Sequence, residues 1–153
     1  MDDVTLGGLE AIGGAVAHRA RLRILALLRE GDVFVCQVRR VLTLAPSTVS
    51  VHMAVLRRAG LIAERREGRF VRYSLTAEEP LGSVVRELLY LVKDDPQVTE
   101  DARRLEALRR IAIESVCRGG RNLAAAETAG RARGRRRRAR ARERRVAPAT
   151  GSR

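Results

Sequence analysis

The chain is poor in the side chains that stack on bases and in those that cross-link. It has no Trp, two Tyr and two Phe among 153 residues. So few rings exclude a single-strand binder built on stacked bases. Cysteine occurs only at Cys36 and Cys117. Two thiols so far apart in sequence do not make the disulfide framework of a small secreted domain. No apolar run approaches the roughly 18 residues of a membrane-spanning helix. Met1–Asp3 is acidic where a secretory leader carries positive charge. The expectation is a cytoplasmic or nucleoid-associated protein with no membrane partner. Lysine is nearly missing too: of 31 basic residues, 30 are Arg and one is Lys93. No glycine-rich phosphate loop, nucleophile elbow or paired acid–base motif occurs, so no enzyme is expected.

What is present is positive charge, and it is uneven. The net charge is +13. Residues 1–117 hold 18 basic and 16 acidic residues, a balance of +2, whereas 118–153 hold 13 Arg against Glu127 and Glu143, a balance of +11. Ten of the 15 residues from Arg131 to Arg145 are Arg. Such a block repels itself and has almost no large apolar residue to bury. The 45% hydrophobic content therefore belongs mainly to the first part. The expected organisation is a folded domain over 1–117 and a disordered Arg-rich tail over 118–153. The tail could neutralise roughly ten phosphates, giving salt-sensitive, sequence-independent affinity. The alternative is a solvated extension with no role.

Within the first part, apolar spacing predicts a weak, glycine-broken helix over 6–17 and a stronger one over 19–29, with Leu22, Leu25, Ala26 and Leu28 as its stripe. Short helices follow over 34–42 and 47–59, separated by Thr43–Pro46. Ser47 is the expected N-cap of the second and Gly60 its stop. The period then switches to two: 61–66 and 69–75 flank Glu67-Gly68 as a hairpin. A helix over 78–93, capped by Thr76, and an amphipathic stretch over 98–116 complete the domain. Asp94, Asp95, Glu100 and Asp101 form an acidic cluster, read as a solvated helix break.

Two short helices followed by a basic hairpin fit a helix-turn-helix with a wing. The fold class is thus mainly α with a small β-hairpin wing. A major groove about 12 Å wide admits one helix, whose small polar side chains approach base edges. Ser47, Thr48 and Ser50 supply these. Arg57 and Arg58 near the helix end, and Arg65, Arg66, Arg69 and Arg72 on the wing, suit the phosphate backbone.

The segments Ala17–Leu25, Gly31–Val38, Leu44–Met53 with Leu56–Leu61, and Arg66–Leu75 resemble, in order and spacing, the ArsR/SmtB-type winged-helix metalloregulatory repressors. The resemblance covers residues 9–95. It implies a homodimer that binds an inverted-repeat operator in double-stranded DNA and is released by an inducer. It also places Ser47, Thr48, Ser50 and His52 on the reading helix. Many relatives carry Lys or Arg where this chain has Val51. The family's Cys-x-Cys would fall at positions 34 and 36, but position 34 is Phe. Soft thiolates suit As(III), Sb(III) and similar ions. The candidate ligands are therefore Cys36 and Cys117, paired in one chain or across the dimer. The plain alternative is a buried Cys36 and an incidental Cys117. The family's second, histidine-containing metal site is excluded, because no His follows His52. Two rival functions remain: a thiol-redox-responsive or non-metal-sensing winged-helix regulator, and an architectural nucleic-acid-binding protein using the Arg-rich tail.

Overall fold

The computed structural model describes residues 5–76 and 78–118. The expectations for the Arg-rich segment beyond Arg118 lie outside this range. Helix α1 spans Leu6–Val16 and opens on Thr5, whose hydroxyl accepts from the Gly8 N–H at 3.1 Å. Helix α2, Arg19–Arg29, buries Ile24, Leu25, Ala26, Leu27 and Leu28 in succession. A one-sided stripe was expected, but five consecutive buried residues go all the way round the helix, so its second half must be enclosed. It packs against α1, the wing and all the larger helices described below. Each such Leu or Ile contributes about 1.5–3 kcal/mol through burial.

Gly31, at φ +113°, turns the chain out of α2 into β1, Val33–Phe34. This two-residue strand is too short for a period-two signal. Helix α3, Val35–Leu42, starts where the Gln37 side-chain carbonyl accepts from the Phe34 N–H at 2.9 Å. Thr43, in the left-handed region at φ 54°, ends it. Helix α4 spans Pro46–Arg58. Its N-cap is Ala45, with no side-chain hydrogen bond, and Pro46 sits inside the first turn. Ser47 is therefore not the cap. Proline presets the first-turn φ and needs no N–H partner there, so α4 can start without a side-chain cap.

Strands β2, Ile62–Glu67, and β3, Phe70–Leu75, form the expected hairpin, with Gly68 at φ +58° in its turn. β1 pairs antiparallel on the far side of β3, giving the order β1-β3-β2. Helix α5 spans Leu81–Leu91 and begins after Pro80 rather than at Glu78. Asp95 caps α6, Pro96–Arg109, accepting from the N–H groups of Gln97 and Val98 at 2.8 and 3.3 Å. The expected stretch over 98–116 is thus two helices, because α7, Ile113–Arg118, starts anew after a turn at 110–112. No glycine or proline marks that turn.

The acidic cluster does not converge. Asp101 is 1% exposed and pairs with Arg23 through two hydrogen bonds, of 2.6 and 2.8 Å. Gln97 donates to the same carboxylate at 2.9 Å. Glu100 instead faces Arg103 and Arg104.

Helix ends explain much of the arginine. The last carbonyls of a helix lack partners within it, and a guanidinium offers five donors in a rigid fork. Arg21 donates to Ala15 and Gly14 at the end of α1. Arg29 donates to Leu89 in α5. Arg109 donates to Glu30 and Asp32 after α2. Arg104 donates to Val41 in α3, and Arg40 to Val116 in α7.

Candidate nucleic-acid interface and the thiol pair behind it

Helix α4 has two faces. Val49, His52, Met53 and Leu56 are buried, whereas Ser47, Thr48, Ser50, Val51, Arg57 and Arg58 are exposed. The buried set holds α4 against α2 and α3, so the exposed set points away from the body. Ser47 and Thr48 lie in the first turn, where unpaired N–H groups and the helix dipole favour an anion. The Ser50 hydroxyl donates back to the Pro46 carbonyl at 3.0 Å. Val51, 62% exposed, is the large apolar residue on this face.

His52, expected as a DNA-binding residue on the reading helix, lies on that helix but is 8% exposed and turned inward. One position separates it from Val51, and that is enough to rotate it about 100° around the helix. Its ring lies 4.6 Å from the ring of His18, centroid to centroid. His18 is itself engaged: its Nδ1 accepts from the Ala20 N–H at 3.1 Å and caps α2. The Nδ1 of His52 is buried without a hydrogen-bond partner among the described residues. Burial, then His18 and Arg21, push the His52 pKa below the usual histidine value. The pair joins the reading helix to α2, with His52 held toward its neutral form.

The wing is braced on that helix. Tyr73 stands opposite Glu64, and its hydroxyl donates to that carboxylate at 3.0 Å. Burial, then this hydrogen bond, raise the Tyr73 pKa to about 12. Arg57 reaches the same carboxylate at 3.4 Å, tying the end of α4 to β2. Arg65 faces Arg72 across the strands. Like charges so placed repel, and Arg72 turns instead to Glu67 and to Asp32, the latter at 3.6 Å. Arg69 lies over the Phe70 ring at 5.1 Å. Arg65 and Arg66 are exposed and make no ion pair among the described residues. The predicted basic set thus divides: Arg65, Arg66 and Arg69 face solvent at the hairpin, while Arg57 and Arg72 also serve the fold.

Behind the helix-turn-helix, Cys36 and Cys117 form a disulfide within one chain, their Cα atoms 5.2 Å apart. The sequence spacing of 81 residues gave no reason to expect the bond. The turn after α6 supplies the reason, because it lays α7 across α3. Cys36 is buried at the start of α3 and Cys117 is half-buried near the end of α7. Reduced, the pair would offer two soft donors. No group of three or more His, Cys, Asp or Glu residues suited to a metal ion occurs among the described residues. Arg40, one turn after Cys36, is the further residue at this junction, and no sequence motif marked it. The arginines at helix ends were equally silent, since their partners are backbone atoms.

The family described as bacterial regulatory protein, arsR family, matches residues 18–64. The transcriptional regulator CmtR of Mycobacterium tuberculosis is 38% identical over 103 residues, 65% of this chain and 87% of CmtR. Among solved structures, HlyU from Vibrio cholerae superposes with a TM-score of 0.54 at 29% identity, covering 61% of this chain and all of HlyU. Its reduced form gives 0.50 at 30% identity, over 56% and 88% of the two chains. The homodimeric winged helix-turn-helix DNA-binding domain Mb0332 from Mycobacterium bovis gives 0.52 at 27% identity, over 58% and 82%.

Proposed function

Because the chain belongs to the ArsR family of bacterial transcriptional regulators, we propose that it is an operator-binding repressor whose grip on DNA is set by the Cys36–Cys117 pair. The observation that carries this reading is the location of the pair. One thiol stands on α3, the first helix of the helix-turn-helix, and the other on α7. Making or opening that bond changes what fastens α7 to the element preceding the reading helix. Supporting it, one solved relative has been captured in a reduced form.

The DNA-reading set is Ser47, Thr48 and Ser50 on α4, with Arg57, Arg58, Arg65, Arg66, Arg69 and, more weakly, Arg72 on the backbone. His52 is left out. The working unit is a homodimer on an inverted-repeat site in double-stranded DNA, as the homodimeric relative suggests. Two reading helices then meet successive major grooves about 10 bp apart. Exposed Leu6 and Leu9 on α1 and Val84, Tyr90 and Leu91 on α5 offer the apolar surface for pairing. Residues 118–153 add non-specific binding to phosphates, and the protein acts in the cytoplasm, on the nucleoid.

A second reading has the reduced pair bind As(III), Sb(III) or another thiophilic ion. Two thiolates on neighbouring helices favour it, since soft donors select soft ions.

The test is a binding titration of the full chain on DNA upstream of its own gene. It is run reduced, oxidised with a disulfide, and reduced with arsenite or antimonite. At least one of the last two should weaken binding by about tenfold or more, and Cys36→Ser should remove the response. Equal affinity in all three conditions would overturn the proposal. In the same assay, removing 118–153 should flatten the salt slope while preserving operator choice.

A further inference from the structure

The junction of α3 and α7 has two points of attachment. Cys36 and Arg40 lie one helical turn apart on α3, and residues at that spacing share a face. Val116 and Cys117 are consecutive on α7. The thiols meet each other, and the Arg40 guanidinium meets the Val116 carbonyl, donating from Nε at 3.2 Å and from Nη2 at 3.0 Å. That carbonyl is among the last of a six-residue helix, so it has no partner inside the helix. Val116 itself is 2% exposed. The arginine therefore grips α7 through its backbone, at the residue adjoining Cys117.

We infer that Arg40 is the positioning residue of the thiol pair: it holds the last turn of α7 on α3 while both cysteines are reduced, and so sets how readily the disulfide closes. This rests on the reading of Cys36–Cys117 as a switch.

The exchange with oxidised glutathione shows where positioning enters. One cysteine thiolate attacks a glutathione sulfur, the glutathione disulfide breaks, and one reduced glutathione leaves. The protein then carries a mixed disulfide. The second cysteine loses its proton and attacks the protein sulfur of that mixed disulfide, releasing the second glutathione. Two electrons and two protons have passed from the protein thiols to two glutathione molecules. The first step is bimolecular and needs no partner helix. The second is intramolecular, and its equilibrium scales with the effective concentration of one thiol at the other. Arg40 raises that concentration without touching either sulfur's bonds.

The experiment titrates the full chain in glutathione redox buffers and counts free thiols by alkylation and mass. Wild type is compared with Arg40→Met, which keeps the apolar stem but donates nothing, and with Arg40→Lys, which keeps the charge and can give a single bond to the carbonyl. An exposed arginine on α6, changed in Arg103→Met, is the control. Arg40→Met is expected to lower the closure constant about tenfold or more, equivalent to about 30 mV for a two-electron couple. Arg40→Lys should fall between it and wild type, and Arg103→Met should match wild type. The mixed-disulfide step should keep its rate in every variant. If Arg40→Met fails to fold, Arg40→Lys alone decides: a constant equal to wild type overturns the inference. Wild-type closure with an unchanged Arg40→Met constant overturns the inference and leaves the switch standing. No intramolecular closure in wild type at any glutathione ratio overturns both.

Discussion

The arginines of the wing and those of the helical body do opposite work with one side chain. On the hairpin, Arg65, Arg66 and Arg69 reach into solvent. In the body, Arg21, Arg29, Arg40, Arg104 and Arg109 are turned onto carbonyls at helix ends. Arg23 goes further and neutralises the buried Asp101. The difference lies in what the neighbouring backbone leaves unsatisfied. A hairpin pairs its own N–H and C=O groups, so Arg65, Arg66 and Arg69 stay available to phosphate, whereas Arg72 is held by the carboxylates of Glu67 and Asp32. A helix end does not, and an arginine nearby is absorbed by the fold. Charge counted along the sequence therefore overstates the charge that DNA can meet.

The largest effect is expected at Arg23. Arg23→Met should lower stability by about 3 kcal/mol or more, because it strands a charged Asp101 out of water. Urea unfolding reads this, and a loss below about 1 kcal/mol would mean that solvent reaches the pair. The next effect is on binding. Arg66→Ala with Arg69→Ala should weaken DNA uniformly and lower the salt slope by about one for each phosphate left without its arginine. Stability should stay within about 0.5 kcal/mol of wild type. Arg109→Met should do the reverse, lowering stability by about 1 kcal/mol while leaving the salt slope unchanged. A matching fall of the slope in Arg109→Met would erase the division between the two sets.

The smallest effect concerns the histidine joint. The folded His52 pKa lies below its ordinary value of 6.5, so the folded state resists the proton that the unfolded chain accepts. The stability it contributes is full above about pH 6.5 and is lost as pH falls through the folded value. His52→Gln should show a shallower decline in unfolding midpoint on acidification. An identical decline would assign the acid sensitivity to other groups.

Much of the reading half was legible in the sequence because its signals are local. The switch from helical to alternating spacing near Leu61 gives the wing, and Gly68 gives its turn. Ser47 and Thr48 stand exposed at the start of the reading helix as expected. The errors there are also local: Pro46 displaces Ser47 as the first fixed point of α4, and a single step around the helix moves His52 from the surface to the core. The rear of the domain was less legible. Asp101 looked like one of four solvated acids until α6 packed it against Arg23. The stretch from Val98 to Val116 kept one apolar rhythm through a turn that no glycine or proline announces.

By itself, the sequence determined the helices and hairpin of the winged helix-turn-helix, though not β1 or the break between α6 and α7, and it carried the resemblance to the family to which the chain belongs. The elements follow from periodicities and turn chemistry that act over a few residues; the family follows from the likeness of whole segments in order and spacing. Only the tertiary structure decided which arginines remain free for DNA, that His52 faces His18, and that Cys36 meets Cys117 across 81 residues. Each of these depends on which surfaces of distant helices are brought together, and on backbone carbonyls that every residue carries and no sequence pattern distinguishes.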